Sequence, residues 1–218
     1  RCLSDWSSDV CSSDLFLISG SQRQDSINTR LLICLASVLQ DYFSLDFLQT
    51  NSVELPLFNQ DLEKTPAVIR RVAEMHLRIK ECHGIVVASP EYNGQVSPFL
   101  KNTIDWISRL AFLNCATGNP FLDKPVLLCS ASTGSGGGVL GIQSARALFS
   151  YVGCLVTGDA ICLPFADQLL TPKGFDFPPH LEEQIAFSVN RFVRLVSYQN
   201  NAEHHASADP QPSLATSD

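Results

Sequence analysis

Three short stretches carry residue types suited to holding a flat, anionic ligand. The first runs from Gly20 to Asn28 and offers hydroxyls at Ser21 and Ser26, an amide at Asn28 and a guanidinium at Arg23. Set between a strand and a helix, these groups would surround a phosphate, with the helix N-terminus adding backbone N–H groups and a partial positive charge. Arg23 would add charge-assisted hydrogen bonds. The stretch lacks a Gly-Lys-Ser/Thr ending, so triphosphate chemistry is not indicated. An ordinary capped turn would use the same residues.

The second stretch is Pro90, Glu91, Tyr92, Asn93 and Gly94. It joins an aromatic ring, an amide, an acid and a flexible glycine, and its backbone N–H groups could meet the edge of a heterocycle. A plain turn is the alternative, since Pro, Asn and Gly are common turn residues. The third stretch, Ala131 to Gly138, includes Ser132 and Gly134 and is poor in side chains, which lets a ligand approach the backbone. Gly136, Gly138 and Gly141 also fit a GxGxxG pattern, with Asp159 about 20 residues beyond. Too little chain follows to build a dinucleotide-binding sheet from that point.

Each stretch follows an apolar run that reads as a strand. Leu15 to Ile18, Gly84 to Ser89 and Pro125 to Ser130 precede the first, second and third stretches, and Ser44 to Gln49 and Cys154 to Cys162 complete five strands. Helices are expected over Thr29–Leu39, Pro66–Lys80, Ser97–Leu110, Gly138–Val152 and His180–Tyr198. Val68, Val72, Met75 and Ile79 make one apolar stripe on the second of these. Ser97 and Pro98 fit an N-cap and a first helical position. Strands alternating with helices imply a parallel sheet covered on both faces, with ligands at the carboxyl ends of the strands.

The totals agree with one globular enzyme-sized domain. Hydrophobic residues are 45% of 218, and 15 basic against 22 acidic residues leave a charge of −7. An acidic chain without a basic cluster is a poor match for nucleic acid or an anionic membrane. No apolar run reaches the roughly 18 residues of a spanning helix. No basic-then-apolar leader is evident, so a cytoplasmic location is expected. The cysteines form no CxxC pair and mostly sit among apolar residues, as buried reduced thiols do. The histidines lack the spacing of a metal site.

Residues 1–14 have neither a helical nor a strand period and repeat Ser-Ser-Asp. They resemble a translated sequencing adapter and are expected to be foreign to the domain, which then spans 15–198. An abrupt start at Leu15 could weaken the first strand. Residues 199–218 lose the periodic pattern and read as a disordered tail.

Taken together, Gly20, Ser21, Arg23, Ser26 and Asn28; Ser89-Pro90-Glu91-Tyr92-Asn93-Gly94; Pro98, Leu100, Lys101, Asn102, Asp105 and Trp106; and Ala131, Ser132 and Gly134 resemble the NADPH-dependent FMN reductase family. Its members include chromate and quinone reductases. The resemblance runs from about Leu15 to Leu195 and implies a flavodoxin-like doubly wound sheet of five parallel strands in the order 2-1-3-4-5, with helices on both faces. It implies that Ser21, Arg23, Ser26 and Asn28 hold the FMN phosphate. Pro90, Glu91, Tyr92, Asn93 and Gly94 would line the isoalloxazine, and Ser132 and Gly134 its far side or the ribityl chain.

The implied activity is ping-pong hydride transfer from NAD(P)H through FMN to a small acceptor such as a quinone, chromate, an azo compound or a flavin, with no catalytic side chain named. A flavodoxin-type electron carrier and a non-catalytic FMN-binding protein are the rival readings. In the family the helix from Ser97 to Leu110 lies at a dimer contact. Its Phe99, Leu100, Ile104, Trp106, Ile107 and Leu110 exceed a single core-facing stripe, which supports a homodimer or a tetramer of dimers. Folding of residues 111–123 back over that face is the alternative. This stretch is also longer than expected and could reshape the acceptor pocket.

Overall fold

The strand Leu15–Ser19 (β1) is buried at every position, because it lies inside a sheet covered on both faces. In the computed structural model, which describes residues 15–48, 50, 53–111 and 118–206, β1 pairs in parallel with β2 (Leu45–Phe47) and β3 (Gly84–Ala88). Strands β6 (Pro125–Ala131) and β7 (Leu155–Leu163) extend the sheet to the order β2-β1-β3-β6-β7. This is the expected 2-1-3-4-5 arrangement. Two small antiparallel hairpins stand outside it, β4 (Glu91–Tyr92) with β5 (Gln95–Val96) and β8 (Leu170–Thr171) with β9 (Gly174–Phe175). The expected weakness at the start of β1 is not seen: Leu15 pairs with both neighbours and its N–H donates to the Ser44 carbonyl at 3.1 Å.

Alternation along the strands builds two cores. Phe16, Ile18, Ile85, Val87, Val126 and Leu128 point to one face, where α2 (Pro66–Glu81), α3 (Pro98–Leu110) and α4 (Val139–Tyr151) pack. Leu15, Leu17, Val86, Leu127 and Cys129 point to the other, against α1 (Ile27–Leu39) and α5 (Pro179–Ala206). The period of two puts neighbouring side chains into different cores. The stripe read on α2 is real: Val72, Met75 and Ile79 are buried, and Val68 packs at the rim.

Some boundaries differ. β2 is three residues long and half-buried, as suits a sheet edge. A 3-10 helix, Gln60–Lys64, lies between β2 and α2 beyond the elements read from the sequence, and Asn59 caps it by accepting from the Asp61 N–H at 3.0 Å. Helix α5 continues to Ala206, past the Tyr198 at which the apolar period fades. Residues 1–14 and the tail from 207 onward lie outside the described residues, as do residues 112–117 of the connection at 111–123.

The apolar excess on α3 is satisfied inside the chain. Leu100, Ile104, Trp106, Ile107 and Leu110 are all buried. The Trp106 indole meets the Phe58 ring edge-on at 4.9 Å between centroids. Asn102 donates to the Pro56 carbonyl at 3.0 Å and accepts from the Phe58 N–H at 2.7 Å. The segment around Pro56 therefore covers the face assigned to a partner subunit, so that argument for a dimer fails.

Candidate functional site

The sheet order reverses between β1 and β3, and the loops after these two strands leave side by side at their carboxyl ends. The loop after β6 stands next to them. In open α/β sheets this crevice is where ligands bind. The three stretches singled out from the sequence are these three loops.

Each pair of loops is pinned. Between the first and second, the Ser97 hydroxyl donates to the Gly20 carbonyl at 2.5 Å while its oxygen caps α3 by accepting from the Leu100 N–H at 3.2 Å. A Cβ at Gly20 would stand 2.8 Å from the Ser89 hydroxyl, so only glycine allows this approach. Between the first and third, the Asn28 amide donates to the Ala131 carbonyl and accepts from the Ala131 N–H, both at 2.9 Å. Between the second and third, the Glu91 carboxylate accepts from the Gly141 N–H at 2.8 Å in the first turn of α4.

In the first loop, Ser21 and Ser26 are nearly buried. The Ser26 hydroxyl oxygen caps α1 by accepting from the Thr29 N–H at 3.3 Å, and that of Ser21 accepts from the Arg23 N–H at 3.3 Å. Among the described residues neither hydroxyl donates to an acceptor. Arg23 is exposed, and among the described residues no carboxylate pairs with its guanidinium. The first-turn N–H groups of α1 have no intrahelical acceptor. An exposed arginine, two hydroxyls and a helix N-terminus form a donor set that fits a phosphate monoester.

The second loop is a hairpin that the sequence reading treated as a plain loop. Asn93 and Gly94 both have positive φ, 53° and 73°, which is the Asn-Gly turn that matches the twist of two strands. Tyr92 and Asn93 are exposed, and Pro90, Glu91 and Gly94 are half-buried. The Glu91 side chain is committed to α4. Its negative charge sits where the helix dipole is positive.

That commitment has a cause. The residue preceding α4 is Gly138, which has no side chain to cap the helix. A Cβ there would fall 1.9 Å from the Ser130 hydroxyl, so no other residue fits. Glu91 supplies from the hairpin the cap that Gly138 cannot. Gly141 is glycine because a Cβ would press on Glu91 at 2.9 Å. Gly138 and Gly141 of the GxGxxG pattern are therefore set by packing, and Asp159 pairs with Arg191 at 2.9 Å.

The third loop offers open backbone. Gly134 and Gly136 are exposed, and a Cβ on Gly136 would meet nothing within 4 Å. Ser132, half-buried, accepts at its hydroxyl from the Gly134 N–H at 3.1 Å. Phe165 was missed from the sequence. It follows β7, its N–H donates to the Gly134 carbonyl at 3.2 Å, and its φ of 48° is unusual for a bulky residue. No local signal marks it.

Among the described residues the thiols and potential metal ligands offer no competing site. Cys82 is pushed up to about 11 and Cys154 to about 12, both chiefly by burial, and burial raises Cys34, Cys129 and Cys162 as well. Such thiols are poor nucleophiles. Among the described residues no cluster of three or more potential metal ligands occurs.

Comparison with known proteins identifies the family. Residues 14–168 match the NADPH-dependent FMN reductase family. An NADPH:quinone oxidoreductase of Arabidopsis thaliana is 37% identical over 124 residues, 56% of this chain and 59% of that protein. The chain thus spans under two thirds of that relative's length. A probable NADPH:quinone oxidoreductase of Oryza sativa subsp. japonica is 34% identical over 205 residues, 87% of this chain and 93% of that protein. FerB from Paracoccus denitrificans, a flavoenzyme NAD(P)H:(acceptor) oxidoreductase, shares the fold with a TM-score of 0.72 at 21% identity, covering 85% of this chain and 97% of its own. The five-stranded switch-point architecture and the family match over residues 14–168 lead to one conclusion: the chain has a flavodoxin-like fold and belongs to the NADPH-dependent FMN reductase family.

Proposed function

We propose that this protein passes electrons from NAD(P)H to a small acceptor, of the quinone class, by way of FMN. The observation that carries the reading is the convergence of the three loops at the switch between β1 and β3. When bound, FMN supplies the two-electron hydride chemistry, and the protein supplies position and electrostatics. Arg23, Ser21, Ser26 and the first-turn N–H groups of α1 hold the phosphate. Backbone of the third loop, at half-buried Ser132 and exposed Gly134, would receive the flat ring. The hairpin from Pro90 to Gly94 forms the opposite rim, with Tyr92 and Asn93 open to solvent. Nucleotide and acceptor take turns at one open face, a ping-pong order that needs no side-chain acid or base.

The quinone class is drawn from the plant relatives named above. Chromate, azo compounds and free flavin remain in the acceptor panel. The test is oxidation of NADPH and NADH by purified, FMN-loaded protein with a benzoquinone. Steady consumption without a partner reductase is expected; a flat trace with both nucleotides overturns the enzyme reading in favour of an electron carrier.

The homodimer is proposed through the outer side of α3. Pro98, Lys101, Leu148 and Tyr151 line an open groove of about 700 Å³ between α3 and α4, and Tyr151 is 91% exposed. Light scattering that gives a constant mass near 23.9 kDa on concentration overturns it. A cytoplasmic location is proposed from the free thiols of Cys34, Cys82, Cys129, Cys154 and Cys162, which fit a reducing compartment. Fractionation of cells that express the protein is the check.

A further inference from the structure

The resemblance to the family gives Asn28 a place on the FMN phosphate, yet the geometry assigns its side chain elsewhere. Both ends of the amide are used by one residue 103 positions away, with Nδ2 donating to the Ala131 carbonyl and Oδ1 accepting from the Ala131 N–H, each at 2.9 Å. The residue is 4% exposed, which leaves its remaining N–H little access to a ligand. The backbone N–H of Asn28, in the first turn of α1, stays available to an anion.

The sheet explains why the amide is needed. Cys129 gives its carbonyl to the Ser89 N–H at 2.9 Å, so the polar groups of Cys129, and of Ala131 two residues later, point toward β3. Ser132, of the opposite phase, donates instead to the Leu163 carbonyl on β7 at 3.0 Å. Strand β3 ends at Ala88 and the chain leaves at Pro90, which has no N–H. Ala131 therefore extends past its neighbour with two buried, unpaired peptide groups. One planar side chain with a donor and an acceptor satisfies both, and an Asn or Gln amide supplies that pair at any pH without a charge. Asn28 stands in for the missing residue of β3.

We propose that Asn28 is a positioning residue: it fixes the start of the third loop to the N-terminus of α1, so that the ring-binding and phosphate-binding parts of the site keep one spacing. This rests on the flavin reading above. Its consequence is that the loss of Asn28 weakens any ligand that touches the third loop, with or without a phosphate.

Asn28→Asp tests it. An ionised Asp only accepts hydrogen bonds, so it faces the Ala131 carbonyl without a proton to share. A protonated Asp restores the donor and the acceptor on an isosteric frame. A carboxyl buried here titrates above its ordinary value of about 4, which brings the change into reach. Residues 131–138 carry no ionisable side chain, and Arg23, Asp25 and Arg30 on the α1 side are exposed. Wild type at each pH supplies the baseline for these and all other groups.

Dissociation constants for FMN and riboflavin are measured between about pH 5 and pH 8. At the alkaline end both ligands should weaken by a similar factor, roughly tenfold or more, and both should recover as the pH falls. Arg23→Ala should differ, weakening FMN and leaving riboflavin unchanged. In flavin-free protein, the Ala131 amide should exchange with solvent faster in Asn28→Asp than in wild type at alkaline pH. Loss confined to FMN would make Asn28 a phosphate ligand, and unchanged affinities with an equally protected Ala131 amide would show that the pair positions nothing. Wild type that binds neither flavin overturns the flavin reading itself, while slow exchange at Ala131 then still tells whether the pair holds the loops. Should Asn28→Asp fail to fold at alkaline pH, Asn28→Ala, which removes both the donor and the acceptor, takes its place; full affinity for both flavins in that variant overturns the proposal.

Discussion

The Trp106 indole Nε1 donates to the Pro56 carbonyl at 2.8 Å, and its ring meets Phe58 edge-on. Trp106 is buried to 1% exposure by residues of its own chain. It is a core residue of one subunit, so its loss should be read in stability and not in assembly. Trp106→Ala should cost about 3–5 kcal/mol, the range for removing a large buried aromatic. Urea unfolding followed by circular dichroism measures this, with light scattering alongside. A change in subunit mass without a change in the unfolding midpoint would return Trp106 to an interface.

Arg23→Ala should weaken FMN by roughly ten- to hundredfold, the equivalent of a charge-assisted hydrogen bond worth about 1.5–3 kcal/mol. The guanidinium is exposed and pairs with no carboxylate among the described residues, so its removal leaves the fold intact. Flavin titration is the measurement. An unchanged dissociation constant would place the phosphate elsewhere.

Gly138→Ala should destabilise the protein by about 1–3 kcal/mol from overpacking, plus roughly 1–2 for a side chain in the left-handed region. The φ of Gly138 is 83°, and the new Cβ would lie 1.9 Å from the Ser130 hydroxyl. Ser130→Ala should not rescue it, since the Ser130 Cβ itself is 2.7 Å away. A double variant as stable as wild type would sink the steric explanation.

His76 predicts an acid limb in stability. It is fully buried on α2, and neither ring nitrogen meets a partner of good hydrogen-bond geometry. Burial lowers its pKa first, the Lys80 ammonium adds to the lowering, and the Ile107 backbone opposes it. The unfolded chain then binds a proton at a higher pH than the folded one. Stability should therefore fall as the pH drops below the ordinary value of 6.5, until the folded state also protonates. His76→Leu should flatten this limb relative to wild type in urea midpoints taken from neutral to mildly acid pH. Parallel limbs in the two proteins would show that His76 is not the group responsible.

Much of this protein is legible from local pattern. Buried parallel strands are apolar at successive positions, which marks β1, β3 and β6 in the residue order alone. Ser97 followed by Pro98 announces the start of α3, because capping depends on residues within one turn. The same locality makes the three ligand loops visible, since each is a short run of turn and polar residues at the end of an apolar strand. The hairpin at Asn93-Gly94 was also within reach, as that dipeptide is itself a turn signal.

What the residue order could not decide is where each side chain spends its hydrogen bonds and its apolar surface. Asn28, Glu91 and Trp106 all looked like ligand or partner contacts. Their real partners are Ala131, Gly141 and Pro56, which lie 103, 50 and 50 residues away in the chain. A periodic pattern reports which face of an element is apolar, and a motif reports which donors are present. Neither reports which distant backbone group has been left unpaired by the end of a strand or the start of a helix. Those unpaired groups exist only once β3 stops short of Ala131 and Gly138 enters α4 without a cap, and the tertiary structure alone brings the matching side chains to them.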